Sequence, residues 1–170
     1  ALYLRKPRRT LVVTGPPYKQ EHDKVMADIV KTFQGVKVIC GGTSSEIISR
    51  ELGIPVRVNL EEMQKSFDVP PTAVMEGIDL VTEGTITISR AMQLLEQDAS
   101  LEALADNAVK RLMQVLINSD IIDFVVGTKI NDAHQDPALP KDLEIRRNLI
   151  RRLSKIMEDQ YFKTTNITFV

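Results

Sequence analysis

Apolar residues along this chain follow two rhythms. Short runs rich in β-branched residues occur at 1–4 (ALYL), 10–15 (TLVVTG), 36–41 (VKVICG), 56–60 (VRVNL), 78–84 (IDLVTEG), 122–127 (IDFVVG) and 166–170 (NITFV). Runs of this length and composition, bounded by turn residues, predict strands. Several are too apolar to leave one face in water, which places them in a sheet covered on both sides. Between them, apolar positions recur at helical spacing over 21–33, 44–52, 86–97, 101–119 and 141–160. The alternation predicts an α/β domain of three layers, Rossmann-like, with a mainly parallel sheet and helices on both faces. Residues 61–75 break the rhythm as a less regular insertion containing DVPPT, whose prolines stop a helix and favour an extended path.

In an open parallel sheet ligands bind outside the carboxyl ends of the strands, so the residues that follow each strand carry the functional expectation. These residues resemble one another: Thr14-Gly15-Pro16-Pro17, Gly41-Gly42-Thr43-Ser44-Ser45, Thr82-Glu83-Gly84-Thr85 and Gly127-Thr128. Glycine permits close approach of backbone to ligand, hydroxyls supply short hydrogen bonds, and a helix N-terminus offers N–H groups to an anion. Neighbouring strands would bring these loops to one polar pocket.

At 36–53 two readings stand side by side. Thr43 and Glu46 fit a capping box, with Gly53 ending the helix, and that alone accounts for the motif. The same corner would also cradle an anion, against the repulsion of Glu46. It is neither a P-loop nor a dinucleotide fingerprint. Asp79 and Glu83, four apart across a strand end and followed by Thr85 as the expected helix cap, would share a metal ion only if the chain turned between them; an extended path separates them by roughly 13 Å. An ordinary polar turn is the simpler reading. The polar loop 126–140 holds His134 and Asp136, read either as loop-ordering residues or as acid–base and ligand groups. His22 reads as a surface residue. In the last helix Leu149, Ile150, Leu153, Ile156 and Met157 share an apolar face, with Arg147, Arg151, Arg152 and Lys155 on the opposite, solvated face. Arg146 points with Ile150 and Leu153, where it would clamp an anionic ligand or pair with Asp79 or Glu83.

Composition narrows the classes. The 170 residues suit one domain, and 22 basic against 23 acidic residues give a net charge of −1, so no global field favours nucleic acid. The single cysteine, Cys40, lies in an apolar run, reads as a small buried side chain and forms no internal disulfide, which favours the cytoplasm. No run of transmembrane length is present, and no membrane association is expected. Residues 1–9, with RKPRR, read as a boundary strand and a Pro-stiffened basic linker from a preceding domain.

Four segments carry a family resemblance: LYLRKPRRTLVVTGPP, VICGGTSSEIISRELG, PPTAVMEGIDLVTEGTITISRAMQLLE and AHQDPALPKDLEIRRNLIRRL. Together they resemble the C-terminal region of bacterial stage II sporulation protein E-type (PP2C-like) serine/threonine phosphatases. The resemblance implies a phosphatase domain ahead of this region, with Mg or Mn entering only through that domain. The metal motifs of that class centre on Asp-Gly pairs, and this sequence has no Asp-Gly dipeptide, so no catalytic residue carries over. The expectation is an accessory, regulatory domain covalently linked to a phosphatase. It would bind a small phosphate- or nucleotide-like anion with Thr14, Gly15, Gly41, Gly42, Thr43, Ser44, Thr82, Glu83, Gly84, Thr85, Gly127, Thr128, His134, Asp136 and Arg146. Two alternatives differ in class: a stand-alone metal-assisted phosphoryl-transfer or hydrolytic enzyme using Asp79, Glu83 or His134, and a docking or dimerisation module.

Overall fold

The strands β1 (Arg9–Thr14), β2 (Val36–Cys40), β3 (Val56–Val58), β4 (Ala73–Met75), β5 (Leu80–Thr82), β6 (Ile121–Val126) and β7 (Thr164–Phe169) join in one sheet, ordered β3-β4-β5-β2-β1-β6-β7. The computed structural model describes residues 4–59, 71–129 and 142–170. The five strands from β5 to β7 in that order are parallel, and β4 runs antiparallel to both of its neighbours. The chain is thus a three-layer, Rossmann-like α/β domain.

Side-chain alternation along the central strands assigns each face its helices. Val12, Val38, Phe124 and Val126 project to one side, where they pack with Ile88 and Leu95 of α3 (Thr85–Glu96), Leu112 and Leu116 of α4 (Ala108–Asn118), and Ile150 and Leu153 of α5 (Asp142–Asp159). Leu11, Val13, Ile39 and Val125 project to the other, against Met26 and Val30 of α1 (Glu21–Thr32) and Ile47 and Ile48 of α2 (Gly42–Leu52). Period-two strands sandwiched by amphipathic helices explain why the central runs are apolar throughout.

The predicted strands and helices that fall on described residues are present, with two differences. β4 falls at the end of the segment expected to be irregular, as three residues antiparallel to β3 and β5. The helix expected over 101–119 is divided into a 3₁₀ turn at Leu101–Ala103 and α4, because the Asn107 side chain accepts from Lys110 N–H at 3.1 Å and restarts the helix there. The strand expected at 1–4 lies largely outside the described residues, and Leu4 has no regular structure. Arg147, expected on a solvated face, is half-buried, its guanidinium 5.3 Å from the Phe169 ring centre, while Arg151 and Arg152 are exposed.

The basic segment before β1 is pinned rather than free. Arg5 forms a two-pronged ion pair with Asp120, Arg8 N–H donates to the same carboxylate at 2.6 Å, and Arg9 pairs with Asp123 at 2.7 Å. The Arg5 guanidinium, with the Arg8 amide next, holds the Asp120 carboxyl well below the usual carboxylate range. A carboxylate whose folded pKa is depressed contributes stability that is present above its unfolded value of about 3.9 and drains away as pH falls. Asp120→Asn is therefore expected to lower the denaturant midpoint near neutral pH, with the gap from wild type closing progressively below about pH 4. Urea unfolding followed by circular dichroism across that range checks it; a gap independent of pH would contradict the assignment.

Candidate functional site

The site arises where the chain leaves neighbouring parallel strands in opposite directions. β2 feeds α2 on one face, while β5 feeds α3 on the other. Diverging connections of this kind leave a crevice at the carboxyl ends of the strands. A cleft of about 570 Å³ occupies it, a size within the usual range of small-molecule sites.

Thr14, Gly15, Gly41, Gly42, Thr43 and Ser44 line one part of the cleft. Glu83, Gly84, Thr85 and Arg146 are the other expected residues that line it. Pro16, Cys40, Ile86 and Ile145 line it as well. The loop pattern after the strands points to the polar members; it does not indicate the two isoleucines, of which Ile86 is 59% and Ile145 47% exposed.

Gly41 sets the geometry of the floor. Its φ of 138° lies where L side chains are strained, and its N–H donates to Thr82 O at 2.9 Å, joining the ends of β2 and β5. Helix α2 begins at once, Ser45 N–H donating to Gly41 O at 3.0 Å. The capping box is thereby corrected. The N-cap is Gly41, which has no side chain to accept, Thr43 lies inside the first turn, and that turn contains no acidic residue. Glu46 is exposed farther along, and Ser45 Oγ donates at 2.7 Å to Gly42 O instead of capping. The left-handed backbone of Gly41 starts the helix earlier than a capping threonine at 43 would.

Ser44 sharpens the picture. It is fully buried, its Oγ has no hydrogen-bond partner among the described residues, and this oxygen sits 3.2 Å from where a Cβ on Gly41 would lie. Buried hydroxyls are normally satisfied, so Ser44 leaves a donor without a described acceptor beside an uncapped helix start on the lining of the cleft.

Helix α3 meets the same cleft differently. Its N-cap is Gly84, not Thr85, and the Glu83 carboxylate accepts from Ile86 N–H at 3.2 Å. Thr85 is the first helical residue and still lines the cleft. One helix N-terminus is thus answered by a carboxylate, and the other is not.

Arg146 lies over Gly15, whose φ of 77° and missing Cβ make room for the guanidinium. It donates to Gly127 O at 3.4 Å and Lys129 O at 3.3 Å. The Asp79 alternative is corrected: Asp79 accepts from Lys37 N–H at 2.7 Å, at the amino end of β5, with the strand between it and Glu83. This also separates the two carboxylates proposed to share a metal, and among the described residues no cluster of three or more His, Cys, Asp or Glu could hold one.

Three expected residues sit behind the cleft instead of lining it. Thr82 is buried, with Oγ1 donating to Glu83 O at 2.7 Å. Gly127 is buried beneath the Gly15-Pro16 turn, and Thr128 donates to Val170 O at 2.8 Å. His134 and Asp136 lie outside the described residues. His22 is exposed, as expected. Burial pushes the Cys40 thiol up to about 12, so it remains protonated near neutral pH and is no nucleophile.

No family model matches the chain, and no curated protein or solved structure is significantly similar to it. Among the described residues, no helix is long and apolar enough to cross a membrane.

Proposed function

We propose that this domain is the accessory, regulatory module of a PP2C-like serine/threonine phosphatase of the stage II sporulation protein E type, and that it binds a small anion at the carboxyl edge of its sheet. The observation that carries the binding reading is the uncapped start of α2 beside the orphaned Ser44 hydroxyl, with the Arg146 cation lining the same cleft. Backbone N–H groups at a helix start and an arginine are a recurrent means of holding phosphate and carboxylate. The phosphatase context rests on the four sequence segments that resemble that family. In this reading the domain acts in the cytoplasm, and catalysis and its metal ions belong to the linked phosphatase domain. Ligand binding here changes the activity of that domain.

A thermal-shift titration against inorganic phosphate, sugar phosphates and nucleotides tests it. A ligand that binds only the folded state adds about 2.7 kcal/mol at a hundred times its dissociation constant, so the expected result is a clear, saturable rise in Tm. The rise should be lost in Gly42→Glu. A Cβ at Gly42 meets nothing within 4 Å, so the fold accepts the change. The new carboxylate favours the helix N-terminus but repels the anion. No saturable shift with any of these anions would count against the proposal.

A further inference from the structure

The cleft is not uniformly polar, and its division points to a class of ligand. This inference rests on the anion-binding reading above. One part is the Gly41–Ser44 cradle with Arg146. The rim carries Ile86 from the first turn of α3 and Ile145 from the second turn of α5, both substantially exposed. Exposed large aliphatic residues on the wall of a polar cleft supply an apolar contact for whatever extends beyond the cradle. The Glu83 carboxylate lines the same cleft and caps α3 through one oxygen; a carboxylate can accept further donors, such as sugar hydroxyls.

We propose that the occupant is a nucleoside monophosphate. Its phosphate sits on the α2 N-terminus with Ser44 Oγ as donor, its sugar hydroxyls donate to Glu83, and its base rests against Ile86 and Ile145. A single phosphate fits better than a chain of them, because added negative charge would extend past the one uncapped helix start toward Glu83. Inorganic phosphate uses only the cradle, and a sugar phosphate uses the cradle and Glu83. Only a nucleotide or an acyl-type phosphate reaches the isoleucines, and Glu83 favours the hydroxylated one of these two.

Isothermal titration of the intact domain with inorganic phosphate, a sugar phosphate, adenosine and guanosine monophosphates, their triphosphates and an alkyl phosphate separates these contributions. The monophosphates are expected to bind at least about tenfold tighter than the sugar phosphate, the scale of discrimination an apolar contact provides. Ile86→Ser and Ile145→Ser should each shrink that margin and leave the affinity for inorganic phosphate unchanged. Both side chains are exposed, so the fold should tolerate the changes, which circular dichroism checks. Triphosphates should bind more weakly than monophosphates, and Glu83→Gln should narrow that difference. Equal affinity for sugar phosphate and nucleotide, or a margin untouched by both serine variants, would overturn the nucleotide assignment and leave the anion cradle standing. Tightest binding of the alkyl phosphate would overturn it in favour of an acyl-type ligand. If no anion binds at all, the cradle fails and the assignment fails with it.

Discussion

Gly127→Ala should unfold or severely destabilise this domain, although it adds a single methyl group. A Cβ at that position would lie 2.2 Å from both Gly15 O and Pro16 O, which are backbone atoms without a side-chain torsion to yield. The two loops are laced together, Gly127 N–H donating to Thr14 O at 2.8 Å and Lys129 N–H to Pro16 O at 3.1 Å. Relieving the clash therefore means breaking bonds that hold the ends of β1 and β6. Overpacking a filled site typically costs about 1–3 kcal/mol, and a backbone-to-backbone collision should reach or exceed the top of that range. Gly42→Ala is the matched control, because its Cβ projects into open space and its φ is not left-handed. Chemical denaturation of both variants checks the contrast. Equal midpoints for the two would show that the loops are not packed as described.

Phe124→Ala should be comparably damaging for the opposite reason. Phe124 is 1% exposed, lies opposite Val12 in the parallel register of β1 and β6, and belongs to the core shared with α3, α4 and α5. Truncating a buried phenylalanine removes its transfer free energy and leaves a cavity, together about 3–5 kcal/mol. Domains of this size hold roughly 5–15 kcal/mol in total, so the loss takes a large share. Because Phe124 does not line the cleft, variant protein that remains folded should still bind the proposed anion. A loss below about 1 kcal/mol would be incompatible with a close-packed core there.

The sequence made the frame of the fold legible because its signals are local. Val12, Val38 and Phe124 sit in runs that only a doubly covered sheet can accommodate. Leu149, Ile150, Leu153, Ile156 and Met157 repeat at helical spacing, and all five are buried. What escaped depends on pairing or on backbone conformation. β4 is three residues long and exists through its antiparallel partners. Asn107 is an ordinary polar residue until its side chain closes on Lys110 N–H. The capping box at Thr43 and Glu46 matched by spacing, yet a glycine at φ 138° moved the helix start upstream.

The candidate site divides in the same way. Glycines and hydroxyls after the strands indicated which loops converge, and most of the expected residues do line one cleft. Which of them turn inward was not legible: Thr82 and Thr128 spend their hydroxyls on backbone carbonyls. Ile86 and Ile145 were hidden for a complementary reason. An apolar residue at helical spacing predicts burial, and only the assembled cleft shows that these two stay exposed.

The anion site proposed at the start of α2 can be read atom by atom by amide NMR. Titrating the labelled domain with adenosine monophosphate should move the backbone N–H resonances of Gly42, Thr43 and Ser44 saturably and together, with the Arg146 side-chain signal following the same isotherm. Gly42→Glu should abolish all of these shifts. Amides at 42–44 that stay fixed while the ligand saturates elsewhere, or that move only in proportion to ionic strength, would contradict an anion site at the start of α2.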